Sequence, residues 1–216
     1  MTAAVGSKLT DSVAGEIDQE TRLLAAIAYG EGSTDDVEAE ISGIVHSVVN
    51  RAKAWGDKKV TEVVASDPNY TYAANGKNVR FNLLKAADVS QINKSKGMRI
   101  AVNAAREALA GQGEDPSNGA YWWDGIDLKD KKPFNPRIQH GFRYGDPAHD
   151  IFGMDAITKT KVIYWQVKNK KTGKIENSQE RGRFDCVYRS TAAHGKTIFW
   201  RYTPEYVKAT GAKEYK

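Results

Sequence analysis

The apolar residues Val37, Ile41, Ile44, Val45, Val48 and Ala52 recur at i, i+4, i+7, i+8, i+11 and i+15, and no other feature constrains this chain as tightly. That spacing predicts a long helix that buries one face. Ahead of it, Leu23, Leu24 and Ile27 mark the buried side of a shorter helix, with Asp18 or Thr21 available as its N-cap. Between the two lie Tyr29-Gly30-Glu31-Gly32 and then Ser33-Thr34-Asp35-Asp36. The glycines leave the backbone free to turn where the first helix runs out. The Ser-Thr-Asp-Asp run offers an N-cap and first-turn acids to the second helix. His46 lies beside the stripe and reads as structural. Asn50 and Arg51 close the helix, Arg51 pairing either with an acid near the site or with the helix C-terminus.

Glu31 is the residue in this stretch that points to chemistry. A carboxyl at a helix C-terminus faces the negative end of the helix dipole, and Asp35, Asp36 and Glu38 add like charge. Both effects disfavour its ionised form, and a carboxyl partly protonated near neutral pH is what a general acid requires. The plainer alternative is a solvated loop acid.

Farther along, Val60 to Ala65 reads as a helical turn broken at Asp67-Pro68-Asn69. Tyr70, Tyr72 and Phe81 then punctuate a run containing Asn75, Asn78 and Asn82. Sugar sites combine aromatic platforms with amides, because a pyranose has an apolar face and a hydroxyl rim. Tyr72, Phe81 and Asn82 are therefore candidate substrate contacts, or else ordinary loop anchors. Met98 to Ala110 predicts a third long helix, ended by Gly111. In the strand Ala120 to Asp124, Trp122 should face opposite Tyr121 and Trp123, so only part of the cluster can line a groove. Tyr121, Trp123 and Asp124 are the candidates.

Residues 125–160 read as an irregular insertion or lid. Val162–Val167, Phe184–Tyr188 and Thr197–Tyr202 read as strands, with a hairpin turn at Lys171-Thr172-Gly173-Lys174. Helices followed by an antiparallel β ribbon give an α+β class. Residues 1–17 are expected to form a flexible N-terminal arm, and residues 18–216 a single domain.

The lone Cys186 excludes an intramolecular disulfide and a Cys-based metal knot; it reads as small core filler on a strand. His46, His140, His149 and His194 show no ligand spacing, so neither a metal nor a cofactor is expected. No apolar run is long enough for a membrane span. The N-terminus has no signal-peptide pattern, so either another export route or excision from a longer protein is expected. Residues 1–124 carry 13 Lys/Arg against 17 Asp/Glu, and residues 125–216 carry 19 against 10. The basic half suits an anionic partner or is a solvated face. No Gly-rich phosphate loop, zinc pattern or helix-turn-helix signature supports nucleic acid.

Several of these motifs together resemble the SleB-like cell-wall hydrolase family. The matching residues are Tyr29, Glu31, Asp35, the helix ending at Asn50-Arg51, the Ala-rich helix Ala101–Leu109, Gly119-Ala120-Tyr121-Trp122-Trp123 and Gly195 to Trp200. The chain departs from the family at Ser33-Thr34-Asp35, where Arg-Gly-Glu is usual, and in the long segment before the closing strand. The resemblance implies a lysozyme-like helical core with the catalytic Glu31 at a helix end and Asp35 as second acid, Asp36 being the fallback. It implies cleavage of the β-1,4 bond between N-acetylmuramic acid and N-acetylglucosamine, by hydrolysis or by the lytic-transglycosylase route. It also suggests an antibacterial effector domain of type VI secretion that acts as a monomer on peptidoglycan in the target periplasm and is neutralised by a cognate immunity protein. A non-catalytic wall-binding module is the alternative, which would have no use for Glu31.

Overall fold

The apolar stripe forms a helix whose face is buried at Ile41, Ile44, Val45, Val48 and Ala52. A computed structural model describes residues 8–67, 70, 74 and 76–214. Its helical part comprises α1 (Gln19–Glu31), α2 (Glu38–Ala54), α3 (Val60–Ser66), α4 (Val79–Ala86), α5 (Val89–Lys94) and α6 (Lys96–Leu109). Asp18 caps α1, accepting the Glu20 and Thr21 amides. Alanines at 25, 26, 28, 101, 104, 105 and 108 are buried where α1 and α6 pack, and α2 packs on both. Leu24, Ile27, Ile41, Ile44, Leu84, Ile92 and Ile100 fill the space between them. Each such side chain contributes roughly 1.5–3 kcal/mol on full burial.

The chain over residues 9–17 is not a loose arm. Val13 and Ile17 are buried, and Asn93 both donates to and accepts from the Val13 backbone. Arg99 and Asn103 on α6 bind the carbonyls of Thr10 and Asp11. The apolar pair and these donors dock the segment on α6, a pattern that its small, polar composition obscures.

The second half is a mixed sheet, a two-stranded antiparallel hairpin and two further helices. Its elements are β1 (Trp122–Asp124), α7 (Pro136–His140), β2 (Phe142–Arg143), β3 (Lys161–Lys168), β4 (Ile175–Phe184), β5 (Tyr188–His194), β6 (Thr197–Tyr202) and α8 (Pro204–Thr210). The four-stranded sheet runs β1-β6-β5-β2, antiparallel except where β2 pairs in parallel with β5. Among the described residues β3 and β4 pair only with each other. The expected strand over residues 184–188 is instead a junction: Phe184 ends β4, Tyr188 begins β5, and Cys186 is buried between them. There the Cys186 and Val187 carbonyls accept from Thr203, and the Val187 amide turns to His140 and Gly141. Among the described residues no single neighbouring strand extends a ladder there.

Alternation on β6 separates two cores. Phe199 points to the helices, where Gly43 of α2 makes room: a Cβ at that glycine would lie 2.6 Å from the Phe199 ring. Ile198, Trp200 and Tyr202 point to a second, aromatic core with Trp122, Phe142 and Tyr188. Residues 125–160 build that second core through buried Leu128, Phe142, Phe152 and Met154, and they supply β2. Their apolar residues are spaced irregularly because they pack from turns, so the segment is a sheet cover and not a free lid.

Candidate active site

Glu31 is the last residue of α1 and is half-buried. Its two glycines serve a different purpose from the one expected. Gly32 has an ordinary φ of −68°. A Cβ at Gly30 would lie 2.9 Å from the Asn78 amide nitrogen and 3.0 Å from Phe81, so Gly30 permits close approach of α4. Asn78 caps α4 through its oxygen, which accepts the Phe81 amide at 3.1 Å. Its Nδ2 donates to the Gly30 carbonyl at 3.0 Å and reaches Glu31 Oε1 at 3.4 Å. One amide therefore joins a helix start to a helix end.

On the other side stands Trp123. Asn50 fixes the turn that delivers β1, donating to Asp115 at 2.9 Å and to the Ala120 carbonyl at 3.1 Å. Trp123 then pairs with Phe199 in register, on the face that looks toward the helices, and its ring lies 6.2 Å from that of Tyr70. Burial pushes the Glu31 carboxyl above its usual range; hydrogen bonds from Trp123 and Asn78 oppose the shift, and the charge of Asp127 adds to it. The direction matches the sequence expectation, but the cause is desolvation plus Asp127, not Asp35, Asp36 and Glu38. Asp127 sits in the 3₁₀ turn Ile126–Asp130 that follows β1.

The other expected acids are engaged elsewhere. Asp35 is 53% exposed and pairs with Lys196 at 2.9 Å. Asp36 adopts φ +48° and pairs with Arg80 at 2.7 Å. Arg80 also donates to the Tyr29 carbonyl and lies 3.9 Å from the Tyr29 ring. The N-cap of α2 is Val37, which makes no side-chain cap bond, so neither Asp occupies its first turn. Ser33 instead donates to Glu40, a fully buried carboxylate that also accepts the Lys196 amide at 3.0 Å and the Thr197 hydroxyl at 2.8 Å.

Of the expected substrate contacts, Trp123 meets Glu31. Tyr72 lies outside the described residues. Phe81 is core, buried against Gly30. Asn82 is exposed, donates to the Gly76 carbonyl and lines a shallow apolar groove with Val79, Leu83 and Met98. Tyr121 precedes β1 and does not share Trp123's face: its ring neighbours Trp122 and Arg201, and its hydroxyl bonds Glu214. Asp124 is held by Arg137 at 2.7 Å and Asn135 at 2.9 Å, and burial raises its carboxyl despite the arginine. It anchors α7 to the sheet and is not an open groove acid.

Arg51, in the last turn of α2, takes an acid partner. It forms a buried ion pair with Asp67 and packs beside the rings of Tyr70 and Trp122. Tyr70, wholly buried, is pushed up to about 12. The site residues that the sequence reading did not single out are Asp127, Arg80 and Glu40. Asn78, named only as part of a polar run, carries a usable signal: Asn three residues before Phe81 at a helix start.

Among the described residues no group of His, Cys, Asp or Glu is placed to hold a metal ion, and no helix is long and apolar enough to cross a membrane. No protein-family model, curated protein or solved structure matches the chain.

Proposed function

We propose that this chain cleaves the glycan strands of peptidoglycan as a lysozyme-type muramidase, with Glu31 as the general acid. One observation carries the reading: a half-buried carboxyl at the end of α1, raised by desolvation and flanked by Trp123 and Asn78. Protonating a glycosidic oxygen needs an acid still protonated near neutral pH, and an aromatic beside an amide suits a sugar ring. Asp127 replaces Asp35 as the carboxylate to guide water, because its charge acts on Glu31 while Asp35 is tied to Lys196. The helical core with its acid at a helix end is read as lysozyme-like on the same ground.

The lytic-transglycosylase route draws support from Asp35's diversion, since that route needs only one acid. Mass analysis of digested peptidoglycan separates the two. Hydrolysis gives reducing-end muramic acid, and 1,6-anhydro ends would replace it with transglycosylation. A protein that binds walls but releases no soluble fragments would be a binding module.

In this reading the chain acts on walls in the periplasm of target bacteria as a monomeric secreted effector and is restrained by an immunity protein. Periplasmic but not cytoplasmic expression should then lyse cells. Lys168, Lys170, Lys171 and Lys174, exposed around the hairpin turn, would aid adhesion to the anionic wall. Wall binding should weaken as salt rises, and reversing these charges should flatten that dependence.

A further inference from the structure

A row of arginines crosses the sheet on the face opposite the aromatic core. Arg143 on β2 is in register with Arg189 on β5, and Arg189 with Arg201 on β6. Their neighbours Phe142, Tyr188 and Tyr202 all point into the aromatic core, so alternation puts the arginines together on the other side. Adjacent strands lie about 4.8 Å apart, and like charges directly opposite one another destabilise a sheet. The outer two arginines are neutralised: Arg143 donates to both oxygens of Glu205, and Arg201 donates to Glu214.

The middle one lies within the field of Glu205, whose carboxyl it helps to lower, but does not pair with it. Arg189 is exposed and makes no ion pair among the described residues. Gly145 accommodates it, since a Cβ there would stand 2.9 Å from its Nε. Arg189 borders a cavity of about 560 Å³ that is also lined by Arg201, Lys208, Lys213 and the single carboxylate Glu214.

We propose that this cavity, centred on Arg189, binds a phosphoryl group, as a phosphate monoester or pyrophosphate. Guanidinium forks match phosphate oxygens bidentately, and Arg201 and Lys208 stand at the same cavity to share a second charge. Glu214, the one carboxylate lining it, is taken up by Arg201, whereas Arg189 and Lys208 form no ion pair among the described residues. Tyr121 belongs to this site through Glu214, which its hydroxyl and Arg201 hold in place.

The test is calorimetric titration with pyrophosphate at fixed ionic strength, with inorganic phosphate and acetate alongside. Pyrophosphate should bind at least about tenfold more tightly than acetate, and Arg189→Gln should weaken it at least about tenfold. Arg189→Lys should recover part of that loss. Glu214→Gln, which releases Arg201, should tighten binding, a gain that damage to the fold would not produce. Glu31→Gln should bind pyrophosphate like the parent, so failure of the muramidase reading leaves this result standing. The proposal is overturned if the parent gives no heat up to millimolar pyrophosphate or if Arg189→Gln matches the parent. It is equally overturned if acetate, or an oligonucleotide or polyglycerol phosphate titrated at the same ionic strength, binds as tightly as pyrophosphate.

Discussion

Glu31 and Glu40 flank the same loop, yet they meet opposite surroundings. Glu31 ends α1, where the helix dipole presents its negative pole; Glu40 lies in the first turn of α2, at the positive pole. Glu40 is fully buried, but Ser33, Lys196 and Thr197 all donate to it. Glu31 is less buried and receives one long bond from Asn78 and a bond from Trp123. Glu40, met by three donors, ties α2 to the β5–β6 turn. Glu31, with fewer donors for its burial, has its carboxyl raised above the usual range.

The sharpest way to break this contrast is Glu31→Gln. An amide keeps the shape but has no proton to give, so turnover of purified peptidoglycan should fall about 10²- to 10⁴-fold with the fold intact. Near-parental turnover would end the assignment. The substitution also has a stability signature. Because Glu31's pKa is raised, the folded chain holds its proton more readily than the unfolded chain. The parent should therefore lose stability relative to the variant as pH climbs from the usual value of 4.5 through the raised one. Denaturant midpoints of the two proteins measured against pH should diverge in that order.

Glu40→Gln tests the other half. A glutamine has one acceptor oxygen and cannot serve the three donors that Glu40 holds. Stability should drop by roughly 1–3 kcal/mol, read by chemical denaturation. The pH–rate profile of the remaining activity should keep its basic limb, since Glu40 does not set the proton affinity of Glu31.

Periodic features of this contrast were legible in the sequence, and contacts distant in sequence were not. The stripe of α2, the Asp18 cap and the opposed faces of Trp122 and Trp123 follow from spacing alone. Tyr121 was misplaced because β1 begins one residue after it, so strand alternation does not reach it. Asp127 carries no local signal: its reach to Glu31 depends on β1 pairing with β6 far along the chain. β2 is only two residues long and parallel to β5, too short to show a period. The partner of Asp35, Lys196, sits on a turn that only tertiary packing brings near.

Asp127→Asn sharpens the comparison from outside the loop. Removing a negative charge near Glu31 lets its carboxyl ionise more easily, so the basic limb of the pH–rate curve should move to lower pH. If Asp127 also guides water, hydrolysis at the optimum should fall about tenfold, equivalent to about 1.4 kcal/mol of barrier. A shifted limb with undiminished optimum would leave Asp127 only an electrostatic neighbour and favour the one-acid route.

The smallest effect belongs to Asp35→Asn, and its smallness is the point. Asp35 and Lys196 are each more than half exposed, so their pair is screened by water and salt. Exposed pairs of this kind contribute about 0–1 kcal/mol, and here the lower part of that range applies because both partners are long-range surface groups. Stability should change by less than about 0.5 kcal/mol, and peptidoglycan turnover should stay within about twofold of the parent. A guiding carboxylate hydrogen-bonded to attacking water would instead be lost with Glu31-like severity. Collapse of activity on Asp35→Asn, with stability unchanged, would mean that Asp35 leaves Lys196 when substrate binds. Asp127 would then lose its place as the second acid.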